Sequence, residues 1–149
     1  MAFTSVADLL KAAQQQNLPL WEAVLNDDCA DRGVARDASF RQMATFWEAM
    51  KDASRHYSAQ ARSASGLVGG DGEKMLWFAE EGNSVGGAFL GRIAAEALRM
   101  GESNACMKRI VAAPTAGSCG VLPAVLIPLA EREGLPDETV VRALFVAAG

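Results

Sequence analysis

The stretch that decides the fold is DASFRQMATFWEAMKDASRHY, residues 37–57. Its large side chains recur at steps of three and four residues, the spacing that places side chains on one face of a helix. This stripe consists of Phe40, Met43, Trp47, Met50, Ser54 and Tyr57. Asp37 or Ser39 has the side chain of an N-cap. Because no segment sustains the two-residue alternation of a strand, we predict an all-α fold, a single compact domain of six or seven helices.

Two helices are predicted before this stretch. Thr4 or Ser5 can cap a first short helix. Pro19 suits the first turn of a second helix, which ends near Gly33. The second helix is expected to bury Leu20, Trp21, Val24 and Leu25.

Further helices are predicted after the stretch. One covers about residues 73–80, and another covers about residues 84–100. Gly101 follows the second of these as a natural C′ glycine. A last helix opens near Pro136 and carries Val140, Val141, Leu144 and Phe145.

Composition excludes several classes of protein. The 149 residues are 50% hydrophobic and carry a net charge of −4, which suits one globular domain and argues against a nucleic-acid partner. Three cysteines form no even, closely spaced set, so we predict a reducing, cytoplasmic compartment. The first residues have neither the basic nor the apolar region of a secretory signal.

An uncharged run over residues 110–130 has about the length of a membrane span. However, Pro114, Pro123 and Pro128 interrupt it, and a lipid-exposed helix broken so often would leave backbone groups unpaired. We therefore predict no membrane span. A loop followed by a buried helix, limited or kinked by the later prolines, is expected instead.

The three cysteines differ in their surroundings. Cys119 lies in an uncharged loop of small residues, just before a predicted helix whose N–H groups would favour a thiolate. A thiolate there can hold an iron–sulfur cluster, but a small buried cysteine at a tight turn explains the same pattern. Cys29 and Cys106 are interpreted as structural.

A second candidate site is the glycine-rich stretch over residues 63–72. Its backbone N–H groups can converge on an anion, and the helix that follows favours a carboxylate or phosphate there. A plain linker between helices is the alternative. His56, the only histidine, is interpreted as exposed or at the core edge, since sequence assigns it no partner.

Two segments together resemble a known family. SGLVGGD (residues 65–71) and RIVAAPTAGSCGVLP (residues 109–123) are similar to the signature segments of the iron–sulfur-dependent L-serine dehydratases, in their α chain or catalytic domain. The resemblance covers essentially the whole chain. It implies a lyase that converts L-serine to pyruvate and ammonia without pyridoxal phosphate, using a four-iron, four-sulfur cluster as Lewis acid.

The resemblance also implies roles for individual residues. Cys119 falls on a cluster-ligand position, whereas Cys106 does not. Residues expected to hold the substrate or shape its pocket are Ser63, Ser65, Gly66, Gly69, Gly70, Asn104, Thr115, Gly117 and Ser118. The catalytic base is not identified.

The family pattern requires two more cysteines downstream of residue 149. Residues 1–149 are therefore expected to be the N-terminal half of the catalytic domain, cluster-free and inactive alone. Expected partners are L-serine, the rest of that domain, a β chain and a second copy of the chain, which would cover exposed apolar surface after Val121. The rivals are a helical binding or scaffold domain with a buried Cys119, and a thiol-redox enzyme in which Cys106 meets Cys119.

Overall fold

The computed structural model describes residues 3–113 and 115–149. These residues form seven α-helices and one 3-10 turn, without a strand, which confirms the all-α prediction. The helices are α1 (Val6–Gln16), α2 (Leu20–Arg32), α3 (Arg36–Arg55), α4 (Asp71–Glu80), α5 (Gly87–Ala105), α6 (Val121–Glu133) and α7 (Asp137–Ala148), and the 3-10 turn is Ala116–Ser118. Pro114 of the second signature segment lies outside the described residues.

The chain divides into two compact units, and the boundary falls inside α3. The first unit comprises the chain up to Trp47 together with Pro136–Gly149, and the second comprises Glu48–Leu135. Each unit has its own buried side chains.

In the first unit, α2 packs against α1 and α7. Phe40 stacks on Phe145 at 6.0 Å between ring centroids and meets Trp21 edge-on at 6.2 Å. Trp47 is 1% exposed, and its indole N–H donates to Asp137 Oδ1 at 2.6 Å. The predicted stripe of α3 thus contributes the half-buried Phe40 and the buried Trp47 to the packing of this unit, while the buried indole keeps a hydrogen-bond partner.

The helix boundaries of this unit confirm some predictions and correct one. Ser5 caps α1 by accepting from the Asp8 N–H at 3.2 Å, and Gly33 ends α2 in the left-handed conformation. Asp37 and Ser39 are not caps, because α3 has already begun at Arg36. The Ala35 carbonyl accepts from the Ser39 N–H at 3.1 Å, so the first helical turn closes without either side chain.

In the second unit, α4 and α5 approach each other closely through glycines. A Cβ at Gly72 of α4 would lie 2.9 Å from the backbone nitrogen of Arg99, and one at Gly91 of α5 would lie 2.5 Å from Ala79 Cβ. The far side of α5 packs against α6. Small residues at both ends of the α4–α5 contact therefore set how near the two helices lie.

The end of α5 differs from the prediction. Gly101 does not terminate the helix, which continues to Ala105 with Cys106 as its C-cap. The extension is stabilised by burial, since Glu102 and Ser103 are each 5% exposed. An isolated glycine costs a helix about 1 kcal/mol, which the contacts of the two following side chains offset.

Each of the last two helices begins near a proline. Pro123 lies in the first turn of α6, where its missing N–H costs nothing, and the helix continues through the buried Pro128 to Glu133. Helix α7 follows Pro136, as predicted. Val121, Val125 and Val146 are exposed. Within the described residues, no helix has both the length and the apolarity that crossing a bilayer requires.

Candidate substrate loop and cysteine turn

The glycine loop, residues 63–70, is held by its own serines. The Ser63 N–H donates to the Val68 carbonyl at 2.9 Å, and the Ser63 hydroxyl accepts from the Val68 N–H at 3.2 Å. The hydroxyls of Ser63 and Ser65 lie 3.2 Å apart. These contacts close a small ring at the loop tip and leave Ser65 and Gly66 exposed.

Two glycines at the end of this loop cannot be replaced without rearrangement. Gly69 has φ 141°, and a Cβ there would lie 2.1 Å from the Ala61 carbonyl oxygen. Gly70 has φ 86° and precedes α4 as its N-cap, with the Ala59 carbonyl oxygen 3.0 Å from a Cβ. Both positions combine a left-handed backbone with close backbone contact, which only glycine tolerates.

The helix that follows the loop receives a carboxylate from α5. Glu102 Oε1 accepts from the Asp71 N–H at 2.6 Å, and Glu102 Oε2 lies 3.2 Å from the Gly72 nitrogen, which donates to it. These N–H groups belong to the first turn of α4 and have no partner within the helix. A negative charge at this end is stabilised by the helix dipole as well as by the two hydrogen bonds.

Tyr57 completes the environment of this carboxylate. Its hydroxyl donates to Glu102 Oε2 at 2.6 Å, and the Arg99 guanidinium lies 4.7 Å from the centre of its ring. Burial, the hydrogen bond to Glu102 and the charge of Glu102 raise the pKa of Tyr57 to about 12. The phenol therefore remains protonated at neutral pH and acts as a donor.

This arrangement changes the anion prediction for the glycine loop. A carboxylate is indeed bound at the first turn of α4, but the protein itself supplies it. Sequence reasoning missed Glu102 and assigned Tyr57 to the apolar stripe of α3, although that helix ends at Arg55. The available signal was an acidic residue placed among small and apolar residues near the end of α5, where burial is the only thing that distinguishes it from a surface glutamate.

The cysteine turn, residues 115–120, contains Cys119 directly before α6. The Ser118 N–H donates to the Thr115 carbonyl at 3.2 Å, and their hydroxyls lie 2.9 Å apart. Helix α6 begins at Val121, as predicted, so its N-terminus adjoins the thiol. Cys119 itself is only 3% exposed, which agrees with the buried cysteine at a tight turn and differs from the open loop thiol, the two alternatives that the sequence left open.

The glycine loop and the cysteine turn lie near the same stretch of α5 but on different sides of it. The first turn of α4, directly after the glycine loop, meets Arg99 and Glu102, whereas a Cβ at Gly120 of the cysteine turn would lie 3.1 Å from the Ala97 carbonyl oxygen and 3.4 Å from Met100 Cβ. Successive helical residues are roughly 100° apart, so these two pairs face roughly opposite sides of α5. The helix therefore separates the two elements within the described chain.

The family model of the serine dehydratase alpha chain matches residues 15–149, and both elements lie inside the match. The chain belongs to this family. It is 28% identical over 145 residues to the probable L-serine dehydratase, alpha chain, of Bacillus subtilis (strain 168), covering 97% of this chain and 48% of that protein. It is 23% identical over 143 residues to the L-serine dehydratase, alpha chain, of Peptoniphilus asaccharolyticus, covering 95% of this chain and 49% of that one.

This member of the serine dehydratase alpha chain family thus spans about half the length of the curated relatives it matches. No solved structure matches the chain. The family prediction made from the two signature segments is confirmed.

Among the described residues, Cys119 is the only predicted metal ligand. Nowhere in residues 3–113 and 115–149 do three or more His, Cys, Asp or Glu side chains come together as a metal site would require. Cys29 and Cys106 are partly exposed free thiols, and the Cys106 sulfur lies 4.0 Å from the Val68 carbonyl oxygen of the glycine loop. Since iron–sulfur clusters are held by several thiolates, Cys119 alone does not fit a complete cluster site.

The remaining predicted positions lie at the surface. Asn104 is exposed near the end of α5. Thr115 and Gly117 are exposed in the cysteine turn, while Ser118 is half-buried. The His56 side chain is 77% exposed and its Nδ1 lies 3.2 Å from Asp52 Oδ1, which suits the exposed interpretation. The predicted roles of these residues stay predictions.

Proposed function

We propose that this chain forms part of an L-serine dehydratase, an enzyme that converts L-serine to pyruvate and ammonia. The observation that carries the proposal is the family match over residues 15–149, which includes the glycine loop and the cysteine turn. Because the chain spans about half of each curated relative, we propose that activity requires the remaining half of the enzyme.

The proposed reaction is an elimination followed by hydrolysis. A base takes the α proton of L-serine, and the bond between the β carbon and the hydroxyl oxygen breaks. The hydroxyl group takes up one proton and leaves as water. The resulting 2-aminoacrylate gains a proton on its terminal carbon and loses one from nitrogen, which gives the imine 2-iminopropanoate. Water hydrolyses this imine to pyruvate and ammonia. No oxidant or reductant is consumed.

The glycine loop is the proposed contact for the charged ends of serine. Ser65 and Gly66 are exposed at its tip, and the Ser63 hydroxyl lies beside them. Hydroxyl groups are donors and acceptors, so they can pair with either the carboxylate or the ammonium group of an amino acid. The N–H groups of Asp71 and Gly72 take no part in this proposal, since Glu102 already occupies them.

Cys119 is the proposed single ligand that this chain gives to an iron–sulfur cluster. Other cysteines, from outside the described residues, would have to complete the site. A bound cluster would supply Lewis-acid chemistry at the leaving hydroxyl. The Cys119 residue is 3% exposed, so residues of the cysteine turn would have to move aside for an iron atom to reach its sulfur.

The test uses the chain together with the missing half of the enzyme, reconstituted anaerobically with iron and sulfide. We expect cluster absorbance and pyruvate formation from L-serine. A Cys119→Ser variant should lose both, whereas Cys29→Ser, the matched control, should keep both. Full cluster content in Cys119→Ser would contradict the ligand role, and a loaded enzyme that leaves serine unchanged would contradict the substrate.

A second candidate function is favoured by the burial of Cys119. A helical binding or scaffold domain needs no accessible thiol, and a 3% exposed cysteine packs as a small apolar residue. For that function, the Cys119→Ser variant of the assembled enzyme would keep whatever cluster the wild type holds.

A further inference from the structure

One buried carboxylate joins both ends of the segment that carries the glycine loop. Tyr57 precedes the loop and donates its hydroxyl to Glu102, while Asp71 directly follows the loop and donates its N–H to the same side chain. Glu102 is 5% exposed and lies 31 residues further along the chain than Asp71. We propose that Glu102 is a positioning residue that holds the glycine loop in its substrate-binding conformation.

The inference rests on the proposed function only for the identity of the substrate. The hydrogen bonds of Glu102 go to Tyr57, Asp71 and Gly72, whereas Ser65 and Gly66 are exposed at the loop tip. Glu102 acts instead through the residues at the base of the loop. The tip closes on itself through Ser63 and Val68, so tip and base are fixed by separate sets of hydrogen bonds.

Glu102 accepts three hydrogen bonds, from Tyr57, Asp71 and Gly72, and we call this set the clamp. The strength of the clamp follows from its chemistry. Each of its three hydrogen bonds has a carboxylate acceptor, and such charge-assisted bonds are stronger than neutral ones. The carboxylate is buried, so its charge depends on these donors for solvation. If the N–H groups of Asp71 and Gly72 lost their hydrogen bonds to Glu102, the buried carboxylate would lack donors and the first turn of α4 would be uncapped.

Helix α5 reinforces the same arrangement one turn further on. Cys106 is four residues after Glu102, and its sulfur lies against the Val68 carbonyl oxygen of the loop. Residues spaced by four lie on one helix face. The end of α5 therefore runs beneath the loop from its base at Glu102 towards its tip.

The first test uses this chain alone and needs no activity. Glu102→Gln retains the shape of the side chain but removes the charge, and Glu96→Gln is the matched control. Glu96 is also 5% exposed on α5, but its partner is Arg99, at 3.2 Å, and not the loop. We expect amide exchange over residues 58–72 to become at least about tenfold faster in Glu102→Gln and to stay near wild type in Glu96→Gln.

A second measurement follows the clamp directly. Tyr57 is the only tyrosine in the chain, so tyrosinate absorbance reports on it alone. Its titration should move from the wild-type position towards the ordinary range in Glu102→Gln. Glu96→Gln is no control for this measurement, because its partner Arg99 lies 4.7 Å from the centre of the Tyr57 ring. Equal exchange in the two variants, together with a wild-type titration of Tyr57 in Glu102→Gln, would overturn the inference.

Kinetic measurements on the assembled enzyme distinguish failure of this inference from failure of the proposed function. For a positioning residue, KM for L-serine should rise at least about tenfold in Glu102→Gln while cluster content stays at the wild-type level. An unchanged KM in an enzyme that turns over serine would overturn the inference. If the wild-type enzyme leaves serine unchanged, the proposed function fails, but exchange that is faster only in Glu102→Gln still supports the clamp.

Discussion

Gly72 lies against the backbone of Arg99. A Cβ at Gly72 would be 2.5 Å from Arg99 Cγ, 2.9 Å from its nitrogen and 3.1 Å from its Cα. Because two of these atoms are backbone, a rotamer change of Arg99 would not relieve the contact. The first turn of α4 can therefore approach α5, and reach Glu102, only without a side chain at this position.

We predict that Gly72→Ala lowers the free energy of unfolding by about 1–3 kcal/mol, the usual cost of overpacking. Gly101→Ala is the control, because Gly101 is also helical but has nothing within 4 Å of its Cβ position. Replacing that glycine should stabilise the chain by about 1 kcal/mol through helix propensity alone. Urea unfolding of both variants measures the difference, and similar effects in both would argue against the close contact.

Gly69→Ala is expected to disrupt the glycine loop. The new Cβ would lie 2.1 Å from the Ala61 carbonyl oxygen, so the backbone must move. Gly66→Ala is the matched control, since Gly66 also has a positive φ but open space around it, and should cost only about 1–2 kcal/mol. Hydrogen exchange over residues 61–70 should rise far more in Gly69→Ala, and the reverse order would be inconsistent with this geometry.

The Tyr57 hydroxyl makes stability depend on alkaline pH. Its pKa is raised to about 12 in the folded chain, against about 10 for an ordinary tyrosine. Below the ordinary pKa both states are protonated, and the contribution of Tyr57 is fully present. As pH rises from about 10 to about 12, only the unfolded state loses the proton, so stability falls over that window.

The Tyr57→Phe variant isolates this loss of folding stability at alkaline pH. The variant should be less stable than wild type at neutral pH, because Glu102 loses one donor while buried. The stability difference between the two proteins should shrink as pH rises through the window. A constant difference in urea unfolding across that range would show that Tyr57 titrates normally.

The burial of Cys119 predicts slow alkylation in the folded chain. At 3% exposure the sulfur is not accessible to a reagent without local opening, whereas Cys29 and Cys106 are partly exposed. Mass spectrometry after brief alkylation should find Cys119 modified last in buffer, and all three cysteines modified alike in denaturant. Rapid modification of folded Cys119 would instead support the open loop, the other alternative that the sequence left.

The sequence predicts the helical architecture well where local chemistry decides it. The stripe from Phe40 to Met50, the cap at Ser5 and the αL glycine at Gly33 each act within one helix or at its end, so residue type and spacing suffice. Gly101 shows the opposite case. Its residue type favours a helix end, but buried contacts of the next residues extend α5 past it.

The two loops of the candidate site could be picked out from the sequence, but the charges and burial around them could not. Both loops stand out by composition, and the family match includes both of them. Glu102 and the burial of Cys119 are tertiary properties, set by how α4 and α6 pack on α5. A carboxylate 31 residues away from the N–H group it binds leaves no periodic signal in the sequence.

The reach of Glu102 has a consequence for protein engineering. The SGLVGGD segment is not a portable module, since the groups that define its base belong to a helix encoded well downstream. A graft of residues 57–72 into another scaffold should fold as designed only when an acidic side chain is supplied opposite the new helix start.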